Sequence, residues 1–219
     1  AIALGRHTYW NRFHPSDSGG SPASVSRFRD SPGAREHDRG VARDEVERSE
    51  DGRYIVVGGR RWRATDPAIP EKLRAELVSA LMTGRRLVKT EGDAARVMVD
   101  DAKVALGERG DPWWDPTEEG TRRRLAATIR TLLRSRGGGS ICPSDAARAV
   151  GGEHWRDLMD TARDVALELR DQGIVAIRQR GEDVPGSRIR GPIRIVAAAA
   201  LDSRPASGDT APGTQATGG

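Results

Sequence analysis

Arginine recurs at alternate positions in two stretches near the end of the chain, residues 174–180 and 188–196. Alternate side chains of an extended strand lie on one face, so these arginines share a face while isoleucine and valine share the other. The five are Arg178, Arg180, Arg188, Arg190 and Arg194. A guanidinium group can hold phosphate oxygens through parallel hydrogen bonds. The spacing therefore predicts a β-hairpin with a phosphate-binding face.

Two further arginine clusters are predicted to give auxiliary phosphate contacts. One lies at the start of a predicted helix and consists of Arg122, Arg123 and Arg124. The other lies in a predicted hairpin and consists of Arg60, Arg61 and Arg63.

The residue types that support catalysis or metal binding do not cluster in the sequence. Three of the four histidines lie in a segment expected to be disordered, namely His7, His14 and His37, and His154 stands alone. A single cysteine, Cys142, excludes an intramolecular disulfide and is expected to be a buried, inert thiol. The run of glycines at 137–139 lacks the spacing and lysine of a phosphate loop. The sequence predicts no enzyme, metal site or cofactor.

The elements that would position the arginine-rich hairpin lie between residues 122 and 196. Apolar residues at helical spacing predict helices over 122–135, 143–150 and 154–171, with Trp155 opening the apolar stripe of the last. Glycines at 137–139, 151–152 and 173 follow these helices. Three helices followed by a hairpin predict a winged helix.

Several short motifs lie in the same region. They are Ile141-Cys142-Pro143-Ser144, Ala147-Arg148, Trp155-Arg156, Leu158-Met159, Arg163 with Val165-Ala166, and Arg190-Gly191-Pro192-Ile193-Arg194. In these motifs the chain resembles a small bacterial family of domains of unknown function with a winged-helix-like fold. The resemblance implies that fold and no particular activity.

A second folded module is predicted over residues 51–115. Two strands flank Gly58-Gly59, which predicts a tight hairpin with Ile55 opposite Trp62, and two helices follow. In Gly59-Arg60-Arg61-Trp62-Arg63, Asp66-Pro67 and Gly107-Glu108-Arg109-Gly110 with Pro112-Trp113-Trp114, the module resembles uncharacterised bacterial proteins. Some of those proteins carry the label of a biopolymer transporter, Tol.

The remaining segments have the composition of disordered chain. Residues 1–50 and 197–219 are predicted to be a disordered arm and tail, and 116–121 a linker. The fold class is therefore α+β, mainly α, with disordered termini. No sustained apolar run suits a membrane span or signal peptide, which favours a cytoplasmic protein without a membrane partner. The first methionine is Met82, which favours a fragment or an over-extended reading frame.

Charge is distributed unevenly along the chain. Residues 122–196 hold 15 arginines against 9 acidic residues, a net charge of +6, whereas the remainder has a net charge of −2. The predicted helix over 154–171 is itself acidic, so the hairpin is the better surface for DNA or RNA. The alternative is a module for protein interaction or dimerisation through that helix, whose face carries Arg156, Arg163 and Arg170 among carboxylates.

Overall fold

The computed structural model describes residues 47–184, 186 and 189–202. This part of the chain is an α+β structure with two antiparallel sheets. Its helices are α1 (Glu71–Glu91), α2 (Asp93–Ala105), α3 (Glu118–Ser135), α4 (Pro143–Gly151) and α5 (Met159–Asp171). Most of the predicted arm and tail lies outside the described residues.

The first sheet has the strand order β1-β2-β3. Its strands are β1 (Glu47–Arg48), β2 (Tyr54–Val57) and β3 (Arg60–Arg63). Gly58 and Gly59 adopt φ angles of 57° and 73°, which a two-residue hairpin turn requires. The predicted register is confirmed, because Ile55 pairs with Trp62. The arm was predicted to extend to residue 50, and this was wrong at its end because β1 pairs with β2.

Helix α3 begins within the segment that was predicted to be a linker. Thr117 caps the helix, since its side chain accepts a hydrogen bond from the amide of Gly120 at 2.9 Å. Glu118 and Glu119 occupy the first turn, where acidic groups interact well with the helix dipole. The prediction of a linker over 116–121 was therefore wrong for 118–121. Threonine followed by two glutamates was the overlooked signal.

The segment before α5 was predicted to belong to that helix and does not. After α4 the chain makes a short 3-10 turn at Gly152–His154 and two further turns before α5 begins at Met159. The Trp155 ring is half-buried, and the guanidinium groups of Arg148 and Arg156 lie 4.4 and 4.6 Å from its centroid. Trp155 thus packs at the edge of the core. It precedes α5 and is not the first residue of that helix's apolar stripe.

The second sheet has the strand order β4-β7-β5-β6. Its strands are β4 (Ser140–Ile141), β5 (Val175–Gln179), β6 (Glu182–Asp183) and β7 (Arg194–Ala197). The returning strand was predicted to start at residue 188, but β7 starts at Arg194 because the chain turns at Gly191, whose φ is 84°. The order of helices and hairpin from α3 to β7 is consistent with a winged helix.

One hydrophobic core runs through the described chain. Leu77, Leu81 and Leu106 belong to it, together with Leu125 of α3 and Ile195 of β7. Residues of both predicted modules are therefore buried in the same core. The core extends past the predicted tail boundary at 197, since Leu201 is buried and its carbonyl accepts a hydrogen bond from Arg134.

Candidate nucleic-acid interface

The outer face of the second sheet carries two of the predicted arginines side by side. Arg178 of β5 pairs in register with Arg194 of β7, so both side chains leave the same face, and both are exposed. The next pair along the strands, Ile177 and Ile195, points the other way into the core. Alternation thus places Arg178 and Arg194 on one face as predicted, whereas Arg180 and Arg190 lie outside the strands. We call residues 175–197 the wing.

Arg180 lies at the tight turn between β5 and β6. It is exposed, and its φ angle of 55° is followed by 93° at Gly181, which is the backbone of a two-residue hairpin turn. β6 returns along β5, with Asp183 opposite Arg178. The turn places the Arg180 side chain at the end of the β5-β6 hairpin.

Two of the wing arginines form contacts with acidic or polar neighbours. Arg178 Nε donates to Asp183 Oδ1 at 2.7 Å, in a pair whose side chains are both exposed. Arg194 donates to the hydroxyl and the carbonyl of Ser140 at 3.0 and 3.1 Å. Exposed contacts of this kind contribute little energy and are easily exchanged for a ligand. Within the described part of the chain, Arg180 forms no ion pair.

The loop between β6 and β7 is held by side chains that donate to its carbonyl groups. Arg163 of α5 donates to the carbonyls of Ile189 at 2.6 Å and Gly191 at 3.1 Å. Gln179 donates to the carbonyls of Arg190 at 2.6 Å and Pro192 at 3.2 Å. Together these hydrogen bonds fix the backbone on both sides of Arg190. Its side chain is exposed.

Arg170 of α5 fixes the same loop nearer to β6. It donates to the carbonyl of Gly186 at 2.8 Å and also pairs with the carboxylate of Asp171. Arg163 and Arg170 were predicted to lie on an interaction face of the helix, and that role stays a prediction. In the structure both donate to carbonyls of the loop between β6 and β7, which we call the wing loop. Arg188, the remaining wing arginine of the prediction, lies outside the described residues.

The arginines at the start of α3 have three different environments. Arg122 pairs with Glu168 of α5, and Arg123 is exposed. Arg124 is buried, with its Nη2 atom 2.8 Å from Asp66 Oδ2. The prediction of Arg124 as a phosphate contact was therefore wrong, because this guanidinium is enclosed by protein. Ala127, Thr128 and Thr131 follow Arg124 at helical spacing and are buried on the same face of α3. Their short side chains were the signal in the sequence that this face is covered.

The exposed Arg123 lies near an acidic group at the same end of α3. Asp111 Oδ2 accepts hydrogen bonds from the hydroxyl and the amide of Thr117, at 2.5 and 3.1 Å. These hydrogen bonds hold the pKa of Asp111 below its ordinary value, and the charges of Arg123 and Arg63 add to the effect. The acidic neighbour makes this helix start a weaker anion site than the wing.

The arginines of the first sheet also divide by environment. Arg63 is half-buried and donates to the carbonyls of Gly110 and Asp111, at 2.7 and 3.0 Å. Its Nη1 atom thus holds the loop before α3, and its role as a phosphate contact stays a prediction. Arg60 and Arg61 are exposed and lie over the rings of Trp62 and Tyr54.

The motifs noted between residues 59 and 114 fold against one another. Trp113 Nε1 donates to the carbonyl of Ala64 at 3.1 Å, and the Thr65 hydroxyl donates to Glu108 at 2.8 Å. A side chain at Gly107 would have its Cβ atom 3.0 Å from the Trp113 ring, so this position suits only glycine. These motifs therefore have a structural role in joining β3 to the loop between α2 and α3.

A cavity of about 210 Å³ lies between the start of α3 and the turn after α4, and Arg123, His154 and Asp157 contribute to its lining. Within residues 47–202, as far as they are described, no three His, Cys, Asp or Glu side chains are grouped to hold a metal ion. No helix of that part is long and apolar enough to span a membrane.

Comparison with known proteins gives a family for part of the chain. No curated protein matches the sequence. Residues 122–198, about a third of the chain, match the family described as "Protein of unknown function (DUF3253)". The matched range starts with the predicted domain and ends two residues after its predicted end at 196. The segment from α3 to the end of β7 is thus similar to a family of unknown function.

Proposed function

We propose that this protein binds nucleic acid, with the wing as the surface that contacts the phosphate backbone. The observation that carries the proposal is the exposed cross-strand pair of Arg178 and Arg194, with Arg180 at the adjoining turn. Successive phosphates along a strand offer a row of negative charges, and a row of guanidinium groups on a sheet suits them.

The fixed backbone of the wing loop supports this proposal. Arg163 and Gln179 hold the carbonyls of residues 189–192, so the backbone around Arg190 is held in place before any ligand arrives. Ordering a loop on binding costs free energy, and a loop that is already ordered avoids this loss. Arg190 is thereby presented on a defined backbone next to the sheet.

Helix α5 is a less suitable surface for phosphates than the wing. Asp160 and Asp164 are exposed on it, and Arg163 and Arg170 are occupied by the wing loop. A helix of this charge would repel phosphates if it entered a groove of a duplex. The proposed mode is therefore backbone contact by the wing, a mode that carries little sequence information.

The dependence of affinity on salt tests the proposal on the full chain. Wild type should bind a duplex of mixed sequence with an affinity that falls steeply as salt concentration rises. Changing Arg178, Arg180 and Arg190 together to alanine should make the slope of log affinity against log salt shallower by roughly 2 to 3 units. Parallel titrations with duplex RNA give the preference between DNA and RNA.

A matched control removes the same number of positive charges elsewhere. Lys72, Arg86 and Arg96 are exposed on α1 and α2, and changing them to alanine should leave the slope within roughly half a unit of wild type. Equal slopes for the two triple variants would contradict the proposal, because bulk charge alone would then explain binding.

The second candidate function is protein interaction or dimerisation through α5. It keeps the support of the exposed carboxylates Asp160 and Asp164, but the arginines assigned to that face are engaged with the wing loop. A wild-type chain that binds neither duplex at low salt, and sediments as a dimer, would favour this candidate over nucleic-acid binding.

A further inference from the structure

The two faces of the first sheet differ in what covers them. Tyr54 and Arg63 share one face, and both contact Trp114, with the Tyr54 and Trp114 ring centroids 5.7 Å apart. This face is turned toward the loop before α3. By the same register, the opposite face carries Arg48, Ile55, Val57, Arg60 and Trp62.

The opposite face is open to solvent. Trp62 is 46% exposed and Val57 is 40% exposed, and they are the large hydrophobic side chains with the greatest exposure among the described residues. The Arg60 guanidinium lies 5.5 Å from the centroid of the Trp62 ring. Arg48 pairs in register with Ile55, which on its other side pairs with Trp62. We call these five residues the Trp62 face.

The Trp62 face holds two positive charges and no carboxylate. Glu47, the acidic residue of β1, pairs with Val56 and therefore lies on the covered face. An exposed indole ring flanked by guanidinium groups combines a stacking surface with phosphate-binding groups. An unpaired nucleotide presents both an accessible base and a phosphate.

We propose that the Trp62 face binds unpaired nucleotides, with one base stacked on the indole ring of Trp62 and Arg60 and Arg48 contacting the flanking phosphates. This inference rests on the proposed nucleic-acid binding and adds a preference for single-stranded segments. Bases inside a duplex stack on one another, so their faces are unavailable to Trp62. The wing contacts the backbone, whereas the Trp62 face contacts a base.

The alternative occupant of the Trp62 face is a second copy of this chain. Stable interfaces bury about 800 Å² on each partner, and a charge buried in them needs a partner of opposite charge. The five residues of this face include two arginines and no acidic residue that could pair with them across a twofold axis, so they do not suit such an interface. The charge favours an anionic ligand.

Titration of the full chain with a fluorescent 20-nucleotide oligothymidine tests the inference. Trp62→Ala should weaken binding to this probe by roughly fivefold to 100-fold, while binding to a duplex changes by less than about twofold. Trp62→Phe keeps an aromatic ring and should retain most of the affinity. Val57→Thr alters the same face without removing a stacking group and serves as the matched control. Thermal melts of each variant check that the sheet is folded.

Two results would overturn the inference. One is an unchanged affinity of folded Trp62→Ala for the oligothymidine. The other is a wild-type dimer in sedimentation that Trp62→Ala converts to monomer, since a second copy would then cover the face. The wing is tested separately by the triple variant of Arg178, Arg180 and Arg190. If the triple variant keeps the wild-type salt slope while Trp62→Ala weakens oligothymidine binding, the wing assignment is rejected. If the triple variant has a shallower slope while Trp62→Ala binds oligothymidine like wild type, only the Trp62 face is rejected.

Discussion

Asp66 and Arg124 form a buried ion pair that joins the loop before α1 to the first turns of α3. Asp66 Oδ2 lies 2.8 Å from Arg124 Nη2, and the two side chains are 4% and 9% exposed. Arg124 Nε also donates to the carbonyl of Ala105, at the end of α2. Burial lowers the pKa of Arg124, and the charge of Asp66 opposes this shift. One guanidinium thus connects three segments.

Removing one partner of this pair should destabilise the protein strongly. Asp66→Asn leaves the Arg124 charge buried without its counter-ion, and we expect a loss of about 3 to 5 kcal/mol in the free energy of unfolding. The double variant Asp66→Asn with Arg124→Met should recover part of that loss because no buried charge remains. Urea denaturation followed by circular dichroism measures both.

The exposed pair of Asp93 and Arg96 is the control for this prediction. Its side chains are 73% and 70% exposed, so Arg96→Ala should cost less than about 1 kcal/mol. A loss for Asp66→Asn as small as that for Arg96→Ala would show that the buried pair is not needed for stability.

Local patterns in the sequence predicted β2, β3, β5 and most of the helices. The register of Ile55 and Trp62 followed from Gly58-Gly59, because a two-residue turn fixes which residues face each other. The burial of Ile177 and Ile195 followed from strict alternation with arginine. Both results depend on residues that are close in sequence or on one periodic pattern.

The environment of individual arginines could not be predicted in this way. Arg124 is buried because Asp66 and the end of α2 meet it, and Arg163 is engaged because the wing loop folds back onto α5. Such contacts join residues far apart in sequence, and a count of charges treats all arginines alike. Trp62 lies on the uncovered face of the first sheet, because the covered face is the one with Tyr54.

Arg163 should affect binding indirectly, through the order of the wing loop. Arg163→Ala removes the donors to the carbonyls of Ile189 and Gly191, so amide exchange in residues 189–193 should become faster. We expect weaker nucleic-acid binding with an unchanged salt slope, since no phosphate contact is lost.

Asp164→Ala is the control for Arg163→Ala, because Asp164 is its exposed, charged neighbour on α5. It should leave exchange in residues 189–193 unchanged. A reduced salt slope for Arg163→Ala would contradict the prediction and would make Arg163 a direct phosphate contact.

The range 122–198 should not fold stably when it is separated from the rest of the chain. Leu77, Leu81 and Leu106 lie outside that range and are fully or almost fully buried in the shared core. Without them, α3 would expose the face that carries Ala127 and Thr131. We expect the fragment to bind the dye ANS and to unfold without a cooperative transition.

A fragment of residues 47–202 keeps the whole core and is the comparison for this prediction. It should unfold cooperatively in urea and should not bind ANS. Cooperative unfolding of the 122–198 fragment alone would contradict the prediction and would make the matched range an independent domain.

The backbone of Arg180 has a consequence for protein engineering. A side chain other than glycine or asparagine at a φ angle of 55° costs roughly 1 kcal/mol, and hairpin turns of this type favour Asn-Gly. Replacing Arg180 with asparagine or glycine should therefore raise the thermal stability of the protein. Either residue would delete a guanidinium group from the turn. Under the proposed function, thermostability and phosphate affinity are opposed at this position, so a stabilised variant for binding studies is best designed with Arg180 retained.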